Sequence, residues 1–355
     1  MQLNIIGGVG EHGRNCFLVK DKDINFLVDC GKFADDVNDP YPHLTKQQVK
    51  KIDLVFLTHS HNDHVGALPW LYENGFKGKI IASKETLEQL PFEIEENLVL
   101  EEICPNGKGK INDLEISWGR SGHCVGSVWY KFTKENKTIL FSGDYIEDTQ
   151  VYNCDPIRNM SAEVAIIDCA YGQDSNTYQK HCEVFVSRVK EILKENRAIV
   201  LPVPKYGRGL ELLKLFNDNI KDVHGYYGDQ HFVEEIRKHS NGDYWCTRLE
   251  LKREVKVYQG QKQGIIFVSD PQLRNELSQK IVEEVLNNNG VAIMSGTLEK
   301  GSYSESLYKE KRMEILRYPV HQSYLDYQKL IDNNNFKITI PYHCADLHYR
   351  KVIDF

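Results

Sequence analysis

The sequence predicts an α/β protein of two domains, the second inserted into the first. Its 355 residues are enough for two hydrophobic cores. Between residues 173 and 311 short apolar runs alternate with helical periodicity, the pattern of a parallel sheet covered by helices. Before that stretch strand-like runs are separated by glycine-rich turns, and after it the chain returns with one more, FKITIPYHC at 336–344. The expected division is 1–172 with 312–355 as one domain and 173–311 as the other.

Composition narrows the class. With 41% hydrophobic and 27% charged residues the chain reads as an ordinary soluble globular protein. No stretch approaches the ~18 uninterrupted apolar residues of a membrane helix. The opening MQLNIIGGVGEHG lacks the basic-then-apolar pattern of a secretory signal. Nine scattered cysteines, without C-x-x-C pairs, fit reduced thiols in a cytosolic protein. Cys30, Cys124, Cys169 and Cys344 each follow a candidate site residue and read as small packing groups rather than ligands. The net charge of −7 does not advertise a nucleic-acid binder, although a local cleft can be positive on an acidic protein.

In chain order, residues 3–29 alternate apolar runs with turns and suggest an antiparallel meander ending at Asp29. The segment GGVGEHGRN at 7–15 is glycine-rich like a phosphate loop, but no helical pattern follows it, so its glycines read as turn residues. Ile52 to Thr58 is a buried strand by its β-branched and aromatic content. His59, His61, Asp63 and His64 follow at once, and Val65, Leu68 and Leu71 start a helix. Three imidazoles and a carboxylate so close together are a donor set that suits Zn²⁺ and tolerates Mn²⁺ or Fe²⁺. A strand at 79–83 precedes an acidic helical stretch at 86–98, broken by Pro91, whose glutamates read as a solvated face. Residues 110–118 and 127–133 read as strands, with His123 in the turn between them. KTILFSGDY then ends at Asp144, and EVAIIDCAYG carries Asp168 at the end of a further strand.

A helix with Phe185, Val189, Ile192 and Leu193 on one face leads to the strand AIVLPVP. Lys205 and Arg208 open the next helix, where a phosphate could be held or Arg208 could join the two domains. The alternation then continues through HGYYG, DQHFVEEIRKH, GIIFVSD, QLRNELSQKIVEEVLNN and GVAIMSG, the last leading into the polar loop SGTLEKGS at 295–302. RYPVHQSYLDYQKLI contains His321 before a helix that starts near Ser323, and the final strand ends at His343. His348, five positions on, reads as structural.

Taken together, H-x-H-x-D-H at 59–64, H-x-x-G-S at 123–127, the strand ending S-G-D at 144 and I-P-x-H ending at 343 resemble the metal motifs of the metallo-β-lactamase superfamily. Asp168 followed by Ala-Tyr-Gly, P-x-x-x-x-G-R-x-x-E-L at 202–212 and the Ser323–Tyr327 segment resemble its β-CASP nuclease branch. With the opening GGVGEHGRN…LVDCGKF, the chain resembles a short bacterial ribonuclease J from Gly7 to His343. One departure stands out: Leu325 lies near where the family's catalytic His falls, and the only His nearby is His321.

The resemblance implies a metallo-β-lactamase αββα sandwich with an inserted α/β β-CASP domain. It implies a two-metal phosphodiesterase cutting single-stranded nucleic acid, RNA before DNA, with zinc as the metal and manganese as the alternative. His59, His61 and His123 would hold one ion, Asp63, His64 and His343 the second, and Asp144 would bridge them. Asp63 would orient the attacking water, Asp168 with His321 would hold the phosphate and protonate the departing 3′ oxygen, and Asp29 would brace the histidine loop. Ser295, Thr297 and Ser323 are candidate phosphate contacts. A cytoplasmic location, no membrane association and a homodimer belong to the same expectation. Two alternatives stay open: a small-molecule hydrolase of the same superfamily, against which the insertion counts, and a non-catalytic RNA-binding scaffold subunit, against which the full set of seven metal residues counts.

Overall fold

The computed structural model describes residues 1–36, 38–345 and 349–355, so His348 lies outside the described residues. The chain divides into two compact units. The first comprises Met1–Glu147, Cys154–Ser175 and His321–Phe355, and the second Asp148–Asn153 and Asn176–Val320.

The first unit holds two sheets. Gln2–Gly7, Cys16–Lys20 and Asn25–Val28 form the expected antiparallel meander. Leu54–Phe56, Lys79–Ala82 and Asn97–Val99 extend it in parallel, and Val352–Asp354 pairs on the opposite edge. The second sheet runs Asn335–Tyr342, Ser161–Asp168, Lys137–Phe141, Val128–Lys134, Leu114–Arg120, Lys108–Ile111. Because side chains alternate along a strand, each sheet has two faces to cover. On the first sheet Leu18, Leu27, Val55 and Ile80 pack with Leu68 and Leu71 of the helix Leu68–Glu73. The opposite face presents Phe17, Phe26 and Phe56, whose rings meet Tyr130, Phe132 and Phe141 of the second sheet. The far side of that sheet buries Trp129, Leu140, Ala165 and Ile167 with Leu330 of the helix Tyr324–Asp332. These are the four layers of an αββα sandwich, and each buried phenylalanine contributes about 1.5–3 kcal/mol to holding them together.

Two local expectations need correction. The helical stretch expected over 86–98, broken by Pro91, is helical only at Lys84–Gln89, capped by Ser83, and Leu90 before Pro91 is already extended (ψ 137°). Proline disfavours the helical conformation of the residue before it, and the freed chain reaches Asn97–Val99 as an edge strand. The strand expected at 110–118 is a hairpin, Lys108–Ile111 with Leu114–Arg120, turned at Asn112 (φ 51°).

The second unit is built on one parallel sheet in the order Val255–Val257, Tyr226–Gly228, Ile265–Val268, Ile199–Pro202, Val291–Met294, Met313–Ile315. Its central strands IVLP, IIFV and VAIM are buried along their whole length, as a sheet covered on both faces requires. The helix Glu276–Asn287 covers one side with Ile281, Val282 and Val285. The unit extends past residue 311 to take in its edge strand Met313–Ile315, and it includes the segment Asp148–Asn153. That segment is held by Glu211, whose buried carboxylate accepts the N–H groups of Gln150, Val151 and Tyr152 and the hydroxyl of Tyr318. Among the described residues no helix is long and apolar enough to cross a membrane.

Candidate metal centre

The first unit's strands deliver its acidic and imidazole groups to one place. Leu54–Phe56 leads through Thr58 to His59, which is fully buried. His61 precedes the single helical turn Asn62–Val65, which carries Asp63 and His64. Close packing fixes this turn: a Cβ on Gly31 would sit 1.6 Å from the Asp63 carbonyl oxygen, so only glycine fits. Cys30 N–H donates to the His64 carbonyl (2.7 Å) and Asn15 N–H to that of Asp63 (2.9 Å).

Asp29 supports the loop from below. It adopts a left-handed conformation (φ 59°), which Asp tolerates better than most residues. Its carboxylate accepts from Thr58 N (2.8 Å), Thr58 Oγ1 (2.8 Å) and His64 Nδ1 (2.7 Å). A carboxylate behind an imidazole fixes the ring and leaves the other nitrogen to face the site. His64 Nε2 accordingly lies 3.1 Å from Asp144 Oδ1 and 2.8 Å from Asn15 Nδ2.

Asp144 follows Lys137–Phe141 across Gly143 (φ 57°), where a Cβ would crowd the Val128 carbonyl at 2.7 Å. One of its oxygens lies 3.5 Å from both His59 Nε2 and His123 Nε2, while the other lies 3.4 Å from His343 Nδ1. Tyr342 donates its hydroxyl to the same carboxylate (3.1 Å). His343 Nε2 is 2.9 Å from Asp63 Oδ2, and His123 Nε2 is 3.1 Å from His61 Nδ1. Two clusters result, His59, His61, His123, Asp144 and Asp63, His64, Asp144, His343, each with ligand atoms within 4.8 Å of one another. Asp144 is common to both.

A third group adjoins them. Asp168, buried at its strand's end, accepts from Tyr145 N–H (2.9 Å), Ala170 N–H (3.0 Å) and His321 Nδ1 (2.7 Å). His321 Nε2 is then 3.9 Å from Asp144, and the Tyr171 ring meets the imidazole edge-on.

The charges are mutually dependent. Burial opposes ionisation of Asp144, but His64, His343, His321 and His59 outweigh it and hold its pKa well below the carboxylate range. Asp63 is likewise held low, against burial, by His64 and His343. Burial opposes charge on His343 too, yet Asp144 and Asp63 raise its pKa to about 9, and Asp144, Asp29 and Asp63 raise that of His64 well above the usual value. His59 goes the other way, held well below by burial and by His64. The two carboxylates thus demand positive charge, which a divalent cation supplies while leaving neutral imidazoles free to ligate. Two further atoms favour a cation: buried His59 Nε2 and His343 Nδ1 make no hydrogen bond. An orphaned buried polar atom is costly, and one aimed at a carboxylate suits a metal. The residues therefore fit divalent ions.

The nine metal and catalytic candidates named from sequence converge here, and Asp29 stands behind them. Ser323 follows His321 by two positions, but its hydroxyl is engaged with Asp326, capping the helix Tyr324–Asp332. Ser295 and Thr297 lie in the second unit, where Ser295 is fully buried and the Thr297 carbonyl accepts from Gln272. His12, Asn15 and Tyr342 reach the site without a sequence signal: each acts through a contact with a residue far along the chain or through the backbone.

Comparison with known proteins is consistent with this geometry. Residues 9–179 match the sequence model of the metallo-beta-lactamase superfamily. The chain is 28% identical over 307 residues to transcription termination factor FttA of Lokiarchaeum sp. (strain GC14_75), covering 76% of this chain and 47% of that protein. It is 26% identical over 336 residues to probable RNase MJ4 of Methanocaldococcus jannaschii, covering 85% of this chain and 74% of that protein. It spans about half the length of the FttA relatives it matches. Among solved structures, a protein of unknown function from Enterococcus faecalis V583 superposes with a TM-score of 0.62 at 14% identity, over 98% of this chain and 94% of that one. That likeness concerns the fold alone.

Proposed function

For a chain of the metallo-β-lactamase superfamily's β-CASP branch, we propose a metal-dependent ribonuclease that hydrolyses single-stranded RNA, with single-stranded DNA as the alternative substrate. The observation that carries this is the sharing of Asp144 between two complete ligand clusters, because paired divalent ions suit phosphodiester hydrolysis. His59, His61 and His123 would hold one ion, Asp63, His64 and His343 the other, with Asp144 between them. Zinc suits the donors best and manganese is the alternative. When bound, such ions supply a water of lowered pKa and neutralise the charge of the phosphodiester.

The chain's own residues do the rest. Asp63 Oδ2, held by His343, orients the attacking water. His321 is fixed by its Nδ1–H bond to Asp168, so its Nε2 faces the site. As the imidazolium, with a hydrogen on each nitrogen, it holds the scissile phosphate and gives its Nε2 proton to the departing 3′ oxygen, which leaves the neutral ring still bonded to Asp168. Thr297 of the second unit and Ser323 of the first remain candidates for contacts to flanking phosphates, whereas Ser295 is fully buried and does not. The second unit is assigned as the β-CASP insertion, expected from sequence at 173–311, and the first unit as the lactamase-like domain, expected at 1–172 and 312–355. Nine free thiols support a cytoplasmic location, and a homodimer completes the reading.

Matched single-stranded and duplex RNA oligonucleotides, offered beside a thioester and a lactam, test this reading. The expected result is RNA cleavage with preference for the single strand, weakening as salt rises because phosphate contacts release counterions. Turnover of the thioester or lactam alone would make this a small-molecule hydrolase. RNA binding without turnover by the fully loaded chain would make it a scaffold.

A further inference from the structure

We propose that His12 is a positioning residue for His343, and that through it the glycine-rich segment at 7–15 sets the affinity of one ion of the pair; the inference rests on the metal assignment above. His343 ends the strand Asn335–Tyr342 with φ 67°, a left-handed conformation that residues other than glycine seldom hold without support. Support comes from both sides of its peptide. The His343 N–H donates to the Gly8 carbonyl at 2.7 Å, and the His343 carbonyl accepts from His12 Nδ1 at 2.7 Å. A carbonyl only accepts, so His12 carries a hydrogen on Nδ1 and its role needs no change of protonation.

The two rings also stack, with centroids 4.4 Å apart and planes 14° from parallel. A stacked neighbour restricts rotation about the His343 side-chain bonds. That restriction matters because both nitrogens of His343 are aimed: Nε2 at Asp63 Oδ2 (2.9 Å), and the unbonded Nδ1 at Asp144 Oδ1 (3.4 Å). The segment that presents His12 is itself firmly placed. Gly8 (φ 86°), Gly10 (φ 75°) and Gly13 (φ 128°) let it double back. Glu11 accepts the Gly8 N–H (3.0 Å) and pairs with Arg14 (2.7 Å), and Val9 bridges to Cys344 in parallel. Because His12 is exposed, its replacement opens no cavity in the core.

The role predicts a selective effect. The contacts of His12 fall on a member of the second ligand cluster, while His59, His61 and His123 are delivered by other loops. Zinc binding should be measured by competition with a chromogenic chelator on the parent chain, His12→Ala and His12→Phe. The expected result is two zinc ions per parent chain and, in His12→Ala, one step weakened by roughly 10–100-fold with the other unchanged. His12→Phe, which keeps the ring but not the donor, should fall between. Parental affinity at both steps in His12→Ala, or equal loss at both, would overturn the proposal. A metal-independent readout separates it from the two-ion reading. In the metal-free chain, the ¹⁵N resonances of the His343 ring, assigned with His343→Ala, should move in His12→Ala. If they stay in place, His12 does not position His343, whatever the metal content. If they move but the parent binds no pair of ions, the metal reading fails instead.

Discussion

His321 donates from Nδ1 to Oδ2 of Asp168 across 2.7 Å, joining groups 153 positions apart in the chain. Asp168 is completely buried and also accepts two backbone N–H groups, so the acceptor cannot swing away. The imidazole therefore has one orientation, with Nε2 toward Asp144. His321→Ala should leave both ions bound yet slow RNA cleavage by about 10²–10⁴-fold, the scale for losing a proton donor or phosphate-positioning group. Parental rates in this variant would assign the leaving-group proton to water.

His343→Ala should behave differently. Removing a ligand from the second cluster should lower the ion count from two to one, with cleavage lost as a consequence. Mass spectrometry under native conditions reads the count directly. Two retained ions would remove His343 from the ligand set.

Asp29 touches no ion in this account, yet its loss should be felt at the site. Asp29→Ala strands the Thr58 N–H and the His64 Nδ1–H in a buried place. About 1–3 kcal/mol of stability should go with the unsatisfied donors. Metal affinity should fall by about 10–100-fold, because His64 is no longer held in one orientation. Urea unfolding and a zinc titration check the two effects separately.

Glu211 gives a pH test far from the metal residues. Burial pushes its carboxyl above the ordinary glutamate range, although Tyr318 and three backbone N–H groups work the other way. A raised folded-state pKa binds the proton more tightly in the native state. This group's contribution is therefore full below the unfolded pKa and lost as pH rises through the folded one. Glu211→Gln lacks that loss, so its stability relative to the parent should improve as the pH rises from the ordinary glutamate range through the raised folded-state value. A pH-independent difference would mean that Glu211 titrates normally. Glu211→Ala should cost about 2–4 kcal/mol at pH values below the unfolded-state pKa and less as the pH rises, since it leaves the N–H groups of Gln150, Val151 and Tyr152 and the Tyr318 hydroxyl unpaired.

What could be read from sequence follows from which signals are local. The run Ile52 to Thr58 and the spacing of His59, His61, Asp63 and His64 lie within fourteen residues, so strand, loop and donor set were visible together. The continuous apolar strands of the second unit were equally plain. Val255–Val257 and Met313–Ile315 were not, because three residues are too few to show a period. The stretch at 86–98 misled because its glutamates and leucines keep a helical rhythm past Pro91, and only pairing with Lys79–Ala82 draws it into a strand. His12 escaped notice for another reason: its partner is a backbone carbonyl 331 positions away, and a carbonyl has no sequence signature.

The most direct test of the central claim is the rate of cleavage of a single-stranded RNA as zinc or manganese is titrated into the metal-stripped chain. The expected result is no cleavage without metal and activity that rises to a plateau as the second equivalent binds, with Asp144→Ala inactive throughout. Cleavage that survives complete metal removal, or a chain holding two ions that leaves the RNA intact at every concentration, would contradict it.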